Sequence, residues 1–273
     1  MSSSGSRAVH LQRVGPTSRV ECRDVVAVEE PMEVRVNAAS FAVIMRTPGH
    51  DRELAAGFLL AEDVIRGSDE LATIEYCEDA DEGGRGNTLN VTVVGDAVGR
   101  LTERLGERRQ VMMTASCGLC GRRTIESLRS RVPFAAGQWT VSSEILRGLP
   151  HTLRQAQSVF ETTGGLHGAG LFSLDGTLDI MAEDVGRHNA VDKVVGRRLL
   201  EDALPLDRSM LVVSGRTSFE LVQKALLAGI PLIAAVSAPS SLAIDLAQES
   251  RVTLCGFVRG DTFNVYAHPE RIA

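Results

Sequence analysis

The chain has 273 residues, 44% hydrophobic and 23% charged, so it can bury a core that folds without metal or disulfide staples. Its net charge of −6 argues against a general nucleic-acid binder, and its longest apolar run, residues 228–236, is too short to span a membrane. Five cysteines form an odd, sparse set that fits a reducing compartment better than an extracellular disulfide framework, so we expect a cytoplasmic protein.

The first part of the chain is predicted to be a small β-rich module over residues 20–110, after a flexible, Ser-rich and Gly-rich leader over residues 1–19. Alternating apolar residues favour strands, one of which is expected to place Phe41, Val43 and Met45 on the same face. The predicted strands lie at residues 32–36, 41–47 and 89–93, and a helix is predicted at residues 50–65.

The second part, residues 111–273, is predicted to be an α/β domain. A pair of helices around Pro150 precedes a hairpin that turns at Asp175 and Gly176. Helices and strands then alternate, which predicts a helix-covered sheet that is largely parallel in its middle. The predicted helices are residues 187–200, 217–228 and 240–248, and the strands are residues 210–214, 231–236, 252–258 and 263–267.

Three loops share one layout, because residues 182–189, 214–218 and 237–241 each follow an apolar strand and lead into a helix. If the strands are parallel, these loops meet at one edge of the sheet, where helix N-termini favour phosphate groups. Capping alone could also explain their Ser, Thr and Asp residues, and Thr217 with Glu220 matches a capping box.

Basic and polar residues near these loops favour a ligand site over helix capping alone. Lys193 is one of only two lysines in the chain, and Asn189, Asp192 and Lys193 are spaced to share a helix face. The candidate ligand-binding residues are Arg187, His188, Asn189, Asp192, Lys193, Ser214 and Arg216, together with His167 in a preceding glycine loop. No P-loop or dinucleotide fingerprint is present in the sequence.

A pair of cysteines, Cys117 and Cys120, lies in the glycine-rich stretch "ASCGLCGRR". The pair lacks the companion ligands of a structural zinc site, and a zinc deaminase would need a proline where Ser116 stands, so no metal is expected. A thioredoxin-type pair remains possible. The glycines suit a loop whose thiolate must reach first a sulfur donor and then an acceptor. A local excess of arginine over residues 100–131 would keep a persulfide-carrying cysteine reactive.

Several long motifs together resemble the formate dehydrogenase accessory sulfurtransferases. They are "ASCGLCG", "TGGLHGAGLF", "AEDVGRHNAVDKVVG", "SGRTSFELVQKA" and "GFVRGDTFNVY", and their order covers roughly residues 110–268. The resemblance implies a cytidine-deaminase-like, three-layer α/β fold for the C-terminal domain, and a homodimer.

The resemblance also implies a function. A cysteine desulfurase would pass sulfur to Cys117 as a persulfide, with Cys120 as its partner. The sulfur would then reach the molybdenum of the bis(molybdopterin guanine dinucleotide) cofactor before its insertion into formate dehydrogenase. The segment matching the family's cofactor-binding stretch comprises Phe257, Val258, Arg259, Gly260, Asp261 and Thr262.

Three questions stay open at this level. Spacing does not show which cysteine carries the persulfide, because either thiol can attack or resolve. The principal rival function is a cofactor-binding chaperone whose cysteine pair regulates binding through a disulfide. Asp184 or Asp192 is a candidate for recognising the edge of a guanine.

Overall fold

The computed structural model describes residues 5–77, 86–110 and 139–273, and the side chains of all of these residues except 107–110. Cys117 and Cys120 lie outside the described residues, so the predictions for the cysteine loop stay predictions. Within the described ranges, no helix is long and apolar enough to cross a membrane.

The described chain begins with a two-stranded antiparallel ribbon of β1 (Ser6–Val14) and β2 (Arg19–Ala27). The prediction of a flexible leader over residues 1–19 is therefore wrong from Ser6 onward. The two strands are joined by a tight turn in which the Gly15 amide donates to the Ser18 carbonyl oxygen at 2.8 Å. This turn brings β2 back along β1, and the two backbones satisfy each other's hydrogen bonds. The polar sequence of β1 alone does not predict this strand.

A four-stranded sheet follows, with the order β4-β3-β6-β5. Its strands are β3 (Glu30–Val36), β4 (Ala39–Arg46), β5 (Leu71–Tyr76) and β6 (Thr88–Val93). Strands β3 and β6 are parallel, and the two outer pairings are antiparallel. The buried face carries Met32, Val34 and Val36 from β3 and Leu89, Val91 and Val93 from β6, so this β-rich part of the prediction is confirmed.

Strand β4 departs from the predicted pattern at Phe41. Val34 pairs with Ala42 and Arg35 with Ser40, so Phe41 is the extra residue of a β-bulge. The bulge reverses the in-out alternation, which leaves Phe41 buried while Val43 and Met45 are 65% and 49% exposed. The expectation that these three side chains share a face is wrong for this reason.

A six-stranded sheet forms the centre of the second part, with the order β12-β11-β10-β9-β7-β8. Its strands are β7 (His167–Phe172), β8 (Leu178–Asp184), β9 (Met210–Val213), β10 (Leu232–Ala235), β11 (Thr253–Arg259) and β12 (Thr262–Ala267). Strands β9, β10 and β11 are parallel to one another, as predicted for the middle of this sheet.

Helices cover both faces of this sheet, which makes three layers. The described helices are α1 (Asp51–Ala61), α2 (Ala97–Gln110), α3 (Ser143–Ala156), α4 (Ser158–Thr163), α5 (Arg187–Leu200), α6 (Phe219–Leu227) and α7 (Ser241–Glu249). Alternate residues of β9 face opposite ways: Leu211 and Val213 pack in the core with α5, α6 and α7, whereas Met210 and Val212 pack in the core with α3. The predicted three-layer fold is confirmed.

Helix α3 continues through Pro150, whereas the sequence predicted a pair of helices around that residue. Ser142 caps the helix by accepting a hydrogen bond from the Ile145 amide, and Leu146, Leu149 and Leu153 bury its inner face. This burial outweighs the disruption by proline. The break comes at Gln157, between α3 and α4.

Helices α1 and α5 join the two parts of the molecule through glycine. A Cβ atom on Gly57 would lie 2.0 Å from the Asp192 carbonyl oxygen, and one on Gly196 would lie 1.9 Å from the Glu53 carbonyl oxygen. The two backbones therefore touch directly, and apolar residues of both helices belong to one continuous core. This crossing fixes α5, which begins at the sheet edge described next, against the N-terminal sheet.

Candidate functional site

The predicted loops do meet at one edge of the six-stranded sheet. Strand β7 is antiparallel to both β8 and β9, so β8 runs in the same direction as the parallel strands β9, β10 and β11. The carboxyl ends of these four strands consequently point to the same edge. Loop backbones contact each other there: the Thr217 amide donates to the Ala238 carbonyl oxygen at 3.2 Å, and the Phe257 amide donates to the Ser237 carbonyl oxygen at 3.2 Å.

Helix capping explains only part of the polar residues in these loops. Ser240 caps α7 by accepting a hydrogen bond from the Ala243 amide. The predicted capping box of Thr217 and Glu220 is wrong, because α6 begins later and has Ser218 at its N-cap. Among the described residues, neither Gly186 at the N-cap of α5 nor Ser218 provides a side-chain acceptor to its helix.

A cavity of about 580 Å³ opens at this edge, between α3, the glycine loop before β7, the ends of β9 and β10, and the hairpin of β11 and β12. Five predicted site residues line it, namely His167, Ser214, Val258, Arg259 and Gly260. Sequence reasoning missed the residues that α3 and its end contribute, chiefly Arg147, His151, Arg154 and Gln157. The spacing of the first three on one helix face was the available signal.

The β11–β12 hairpin is held in a strained shape at the cavity. Phe257 has a φ of +54°, a left-handed conformation that bulky residues rarely adopt, and its amide hydrogen bond to Ser237 holds it there. The Arg259 guanidinium lies 5.4 Å from the centre of the Phe257 ring. Gly260, with a φ of +59°, makes the predicted turn beside Asp261, whose carbonyl oxygen accepts a 3.5 Å hydrogen bond from Arg147. Thr262 pairs with Arg259 across the turn.

Positive charge dominates the cavity and the adjoining edge. Arg147, Arg154 and Arg259 line the cavity, although Arg154 also pairs with Glu161 at 2.5 Å. The pKa of His167 is lowered by burial and by the nearby guanidinium groups of Arg187 and Arg216.

His167 and Arg187 both lie close to Gly215. A Cβ atom on Gly215 would lie 3.3 Å from His167 Nδ1 and 3.6 Å from Arg187 Cδ. Within the described residues, the buried Nε of Arg187 has no hydrogen-bond partner. The surface from the cavity to the start of α5 therefore suits an extended anion.

Two of the other candidates, Asn189 and Lys193, belong to a network around the buried carboxylate of Asp184. Lys193 Nζ lies 2.7 Å from an Asp184 carboxylate oxygen, and the Asn189 amide donates to the other oxygen at 2.8 Å. Lys193 also donates to the Thr47 carbonyl oxygen at 2.9 Å, and Asn189 donates to that of Met45 at 2.8 Å. These side chains share one face of α5, as the spacing predicted, and they tie α5 to the end of β4.

The spacing also placed Asp192 on that face, and this part of the prediction is wrong, because Asp192 turns toward α6. Its two carboxylate oxygens accept hydrogen bonds from Lys224 Nζ at 2.7 and 2.8 Å. Burial alone would lower the pKa of Lys224, yet the carboxylates of Asp192 and Glu220 raise it above its usual range. Asp184 and Asp192 are both buried, and their oxygens are engaged by protein groups, which argues against either one recognising a guanine edge.

His188 lies beside this ion pair. Its Nε2 is 3.0 Å from the Ser218 hydroxyl oxygen and 3.5 Å from a Glu220 carboxylate oxygen. Burial lowers the pKa of His188 to about 3, and the positive charge of Lys224 adds to the effect. The imidazole is therefore neutral near pH 7, and His188 contributes hydrogen bonding rather than charge at the edge.

These features define a class: a three-layer α/β protein that presents a basic, partly apolar cavity at the carboxyl ends of its parallel strands. The FdhD/NarQ family model matches residues 27–273. The chain therefore belongs to the FdhD/NarQ family.

Similar proteins agree with this assignment. The sulfur carrier protein FdhD of Nocardia farcinica is 49% identical over 263 residues, which cover 95% of this chain and 92% of that protein. The sulfur carrier protein FdhD of Streptomyces coelicolor is 52% identical over 253 residues, covering 92% of this chain and 89% of that protein. A crystal structure of a candidate formate dehydrogenase accessory protein from Desulfotalea psychrophila superimposes with a TM-score of 0.78 at 26% identity, covering 99% of this chain and all of that one.

Proposed function

We propose that this protein is a cytoplasmic, homodimeric sulfur carrier that serves formate dehydrogenase. It accepts sulfur from a cysteine desulfurase as a persulfide on Cys117 and transfers it to the molybdenum of the bis(molybdopterin guanine dinucleotide) cofactor. The cofactor is substrate here, and it is inserted into formate dehydrogenase afterwards. The basic cavity at the strand ends is the observation that carries the proposal, because it offers an extended anionic molecule both charge and apolar surface.

The cavity suits a nucleotide end of such a cofactor. The guanidinium groups of Arg147 and Arg259 supply charge-assisted hydrogen bonds that phosphate oxygens accept. Pro150, Leu153 and Leu166 supply apolar surface for a flat ring. The N-termini of α5 and α6, which have no side-chain cap, extend the positive edge beyond the cavity. Arg187 and Arg216 lie there and can donate hydrogen bonds to further phosphate oxygens.

The sulfur chemistry needs two thiols. In loading, the Cys117 thiolate attacks the outer sulfur of the donor persulfide and the donor thiolate leaves, so no electrons are gained or lost overall. In delivery, the Cys120 thiolate attacks the inner sulfur at Cys117, a disulfide forms, and the outer sulfur leaves as hydrosulfide. The cysteine pair thus supplies the two electrons, and a cellular thiol reductant restores it. The hydrosulfide would take the place of an oxo ligand of the substrate's molybdenum, and that oxygen would leave as water with the hydrosulfide proton and one proton from solvent.

Intact-mass measurement tests the proposal. The purified protein is incubated with a cysteine desulfurase and cysteine, and we expect a gain of one sulfur atom that a reductant removes. Cys117→Ala should abolish the gain. Cys255→Ala is the matched control and should retain it, because Cys255 is fully buried and burial raises the pKa of its thiol to about 12. A wild-type protein that gains no sulfur would contradict the carrier function and favour the chaperone with a regulatory disulfide.

A further inference from the structure

The side-chain amide of Gln157 is buried beside the cavity and takes part in none of the ion pairs or helix caps described above. The residue lies between α3 and α4, lines the cavity, and is only 2% exposed. Its Nε2 atom is buried, and among the described residues it has no hydrogen-bond partner. Buried amide donors are nearly always paired in folded proteins, so an unpaired one in a residue that lines a cavity is a candidate donor to a ligand, which it reaches when the side chain turns toward the cavity.

Hydrogen bonds hold the main chain of Gln157 on both sides. The main-chain N–H of Gln157 donates to the Arg154 carbonyl oxygen at 3.3 Å, and the main-chain carbonyl oxygen of Gln157 accepts from the main-chain N–H of Glu161 at 3.0 Å. The side chain lies against Gly168, where a Cβ atom would come within 2.6 Å of Gln157 Cδ. Gly168 in turn donates its amide to the hydroxyl of Ser214, another cavity residue, at 2.9 Å. The glutamine therefore approaches the end of the sheet through the one residue type that leaves room for it.

The chemistry of the lining limits what this donor can recognise. Phosphate oxygens can accept hydrogen bonds from the arginine side chains of the cavity, which are stronger donors than a neutral amide. Leu153 and Leu166 are buried apolar neighbours in the lining that suit the faces of an aromatic ring. A neutral donor in apolar surroundings fits a ring carbonyl oxygen, and it disfavours a ring amino group, whose N–H would face the N–H of the amide.

We propose that Gln157 Nε2 donates a hydrogen bond to the 6-oxo oxygen of a guanine bound in this cavity, and that this contact distinguishes guanine from adenine nucleotides. The inference rests on the proposed function, because it presumes that the cavity binds the nucleotide end of the cofactor. It assigns base recognition to the end of α3, in place of the carboxylates of Asp184 and Asp192.

Calorimetric titration of the full chain with GDP, IDP and ADP tests this assignment. IDP keeps the 6-oxo oxygen but lacks the 2-amino group of guanine, so it should bind within about threefold of GDP. ADP should bind at least about tenfold more weakly, because one neutral hydrogen bond is lost and two donors face each other. Equal affinities of the wild type for IDP and ADP, with tighter binding of GDP, would overturn the assignment.

Variants separate base recognition from nucleotide binding. Gln157→Met keeps the length of the side chain and removes the donor, so it should reduce the preference for GDP over ADP to about threefold or less. Gln157→Glu replaces the donor with an acceptor and should reverse the preference. Arg147→Gln is the control, because loss of a cavity cation should weaken GDP and ADP by the same factor. Melting curves followed by circular dichroism show whether each variant is folded.

The two proposals fail in different ways. A folded wild type that binds none of the three nucleotides would overturn the cofactor site and the Gln157 assignment together. Binding of GDP with an undiminished preference over ADP in both folded Gln157 variants would overturn only the assignment. Should Gln157→Met not fold, the comparison of IDP with ADP on the wild type decides the matter by itself.

Discussion

Replacing Gly196 with alanine should separate the helices that join the two parts of the molecule. The added Cβ would lie 1.9 Å from the Glu53 carbonyl oxygen and 2.6 Å from the Gly57 nitrogen, and real Cβ contacts essentially never fall below 3.0 Å. At the closer contact, α1 and α5 must therefore move apart by at least 1.1 Å, the difference between 3.0 and 1.9 Å. Both neighbours are backbone atoms, so no side-chain rotation relieves the clash. We expect a loss of about 3 kcal/mol in the free energy of unfolding, the upper part of the range for overpacking.

Urea denaturation followed by circular dichroism measures this loss, and Gly99→Ala is the matched control. Gly99 is an exposed residue of α2, and a Cβ atom there would meet nothing within 4 Å. The same substitution should stabilise at this position by about 0.5–1 kcal/mol, because alanine is the better helix former. A Gly196→Ala protein as stable as the wild type, or a change of the same sign in both variants, would refute the direct backbone contact between α1 and α5.

Three further predictions concern charge and the cavity. Lys193→Met should lower the free energy of unfolding by about 3–5 kcal/mol in urea titrations, because it leaves the Asp184 carboxylate buried without its cation; a loss below about 1 kcal/mol would contradict that role. Between pH 7 and 5.5, the free energy of unfolding of the wild type should fall by about 1.3 kcal/mol more than that of His188→Gln, because burial lowers the pKa of His188 to about 3 and only the unfolded chain takes up the proton. Parallel plots of the free energy of unfolding against pH for the two proteins would argue against this. Arg259→Gln should weaken GDP binding about tenfold and reduce its salt dependence, and unchanged titrations would remove Arg259 from the site.

The sequence predicted the parts of the fold that local pattern controls. Helix α5 has the predicted bounds of residues 187 and 200, and the turn at Asp175 and Gly176 joins β7 to β8 as expected. The gathering of the loops at one edge followed from strands that share a direction. These features depend on apolar periodicity and turn chemistry, which a single sequence displays.

Other features depend on contacts between distant segments, and pattern did not reveal them. The bulge at Phe41 arises from the register of β4 on β3, and the ribbon at Ser6 forms only with β2 beside it. Lys193 stood out because lysine is rare in the chain, yet its ammonium group is buried against Asp184. Gln157 was missed because a glutamine near a helix end is unremarkable until its burial and its unpaired nitrogen are known.

Transfer of labelled sulfur tests the central claim most directly. The protein is loaded with radiolabelled sulfur by a cysteine desulfurase, separated from the donor, and mixed with the bis(molybdopterin guanine dinucleotide) cofactor and formate dehydrogenase that lacks it. We predict that the label leaves Cys117 and reaches the cofactor as formate dehydrogenase activity appears, and that Cys117→Ala blocks both. Activity that appears with the label still bound to the carrier, or with Cys117→Ala as effective as the wild type, would contradict the proposal that this protein carries the sulfur.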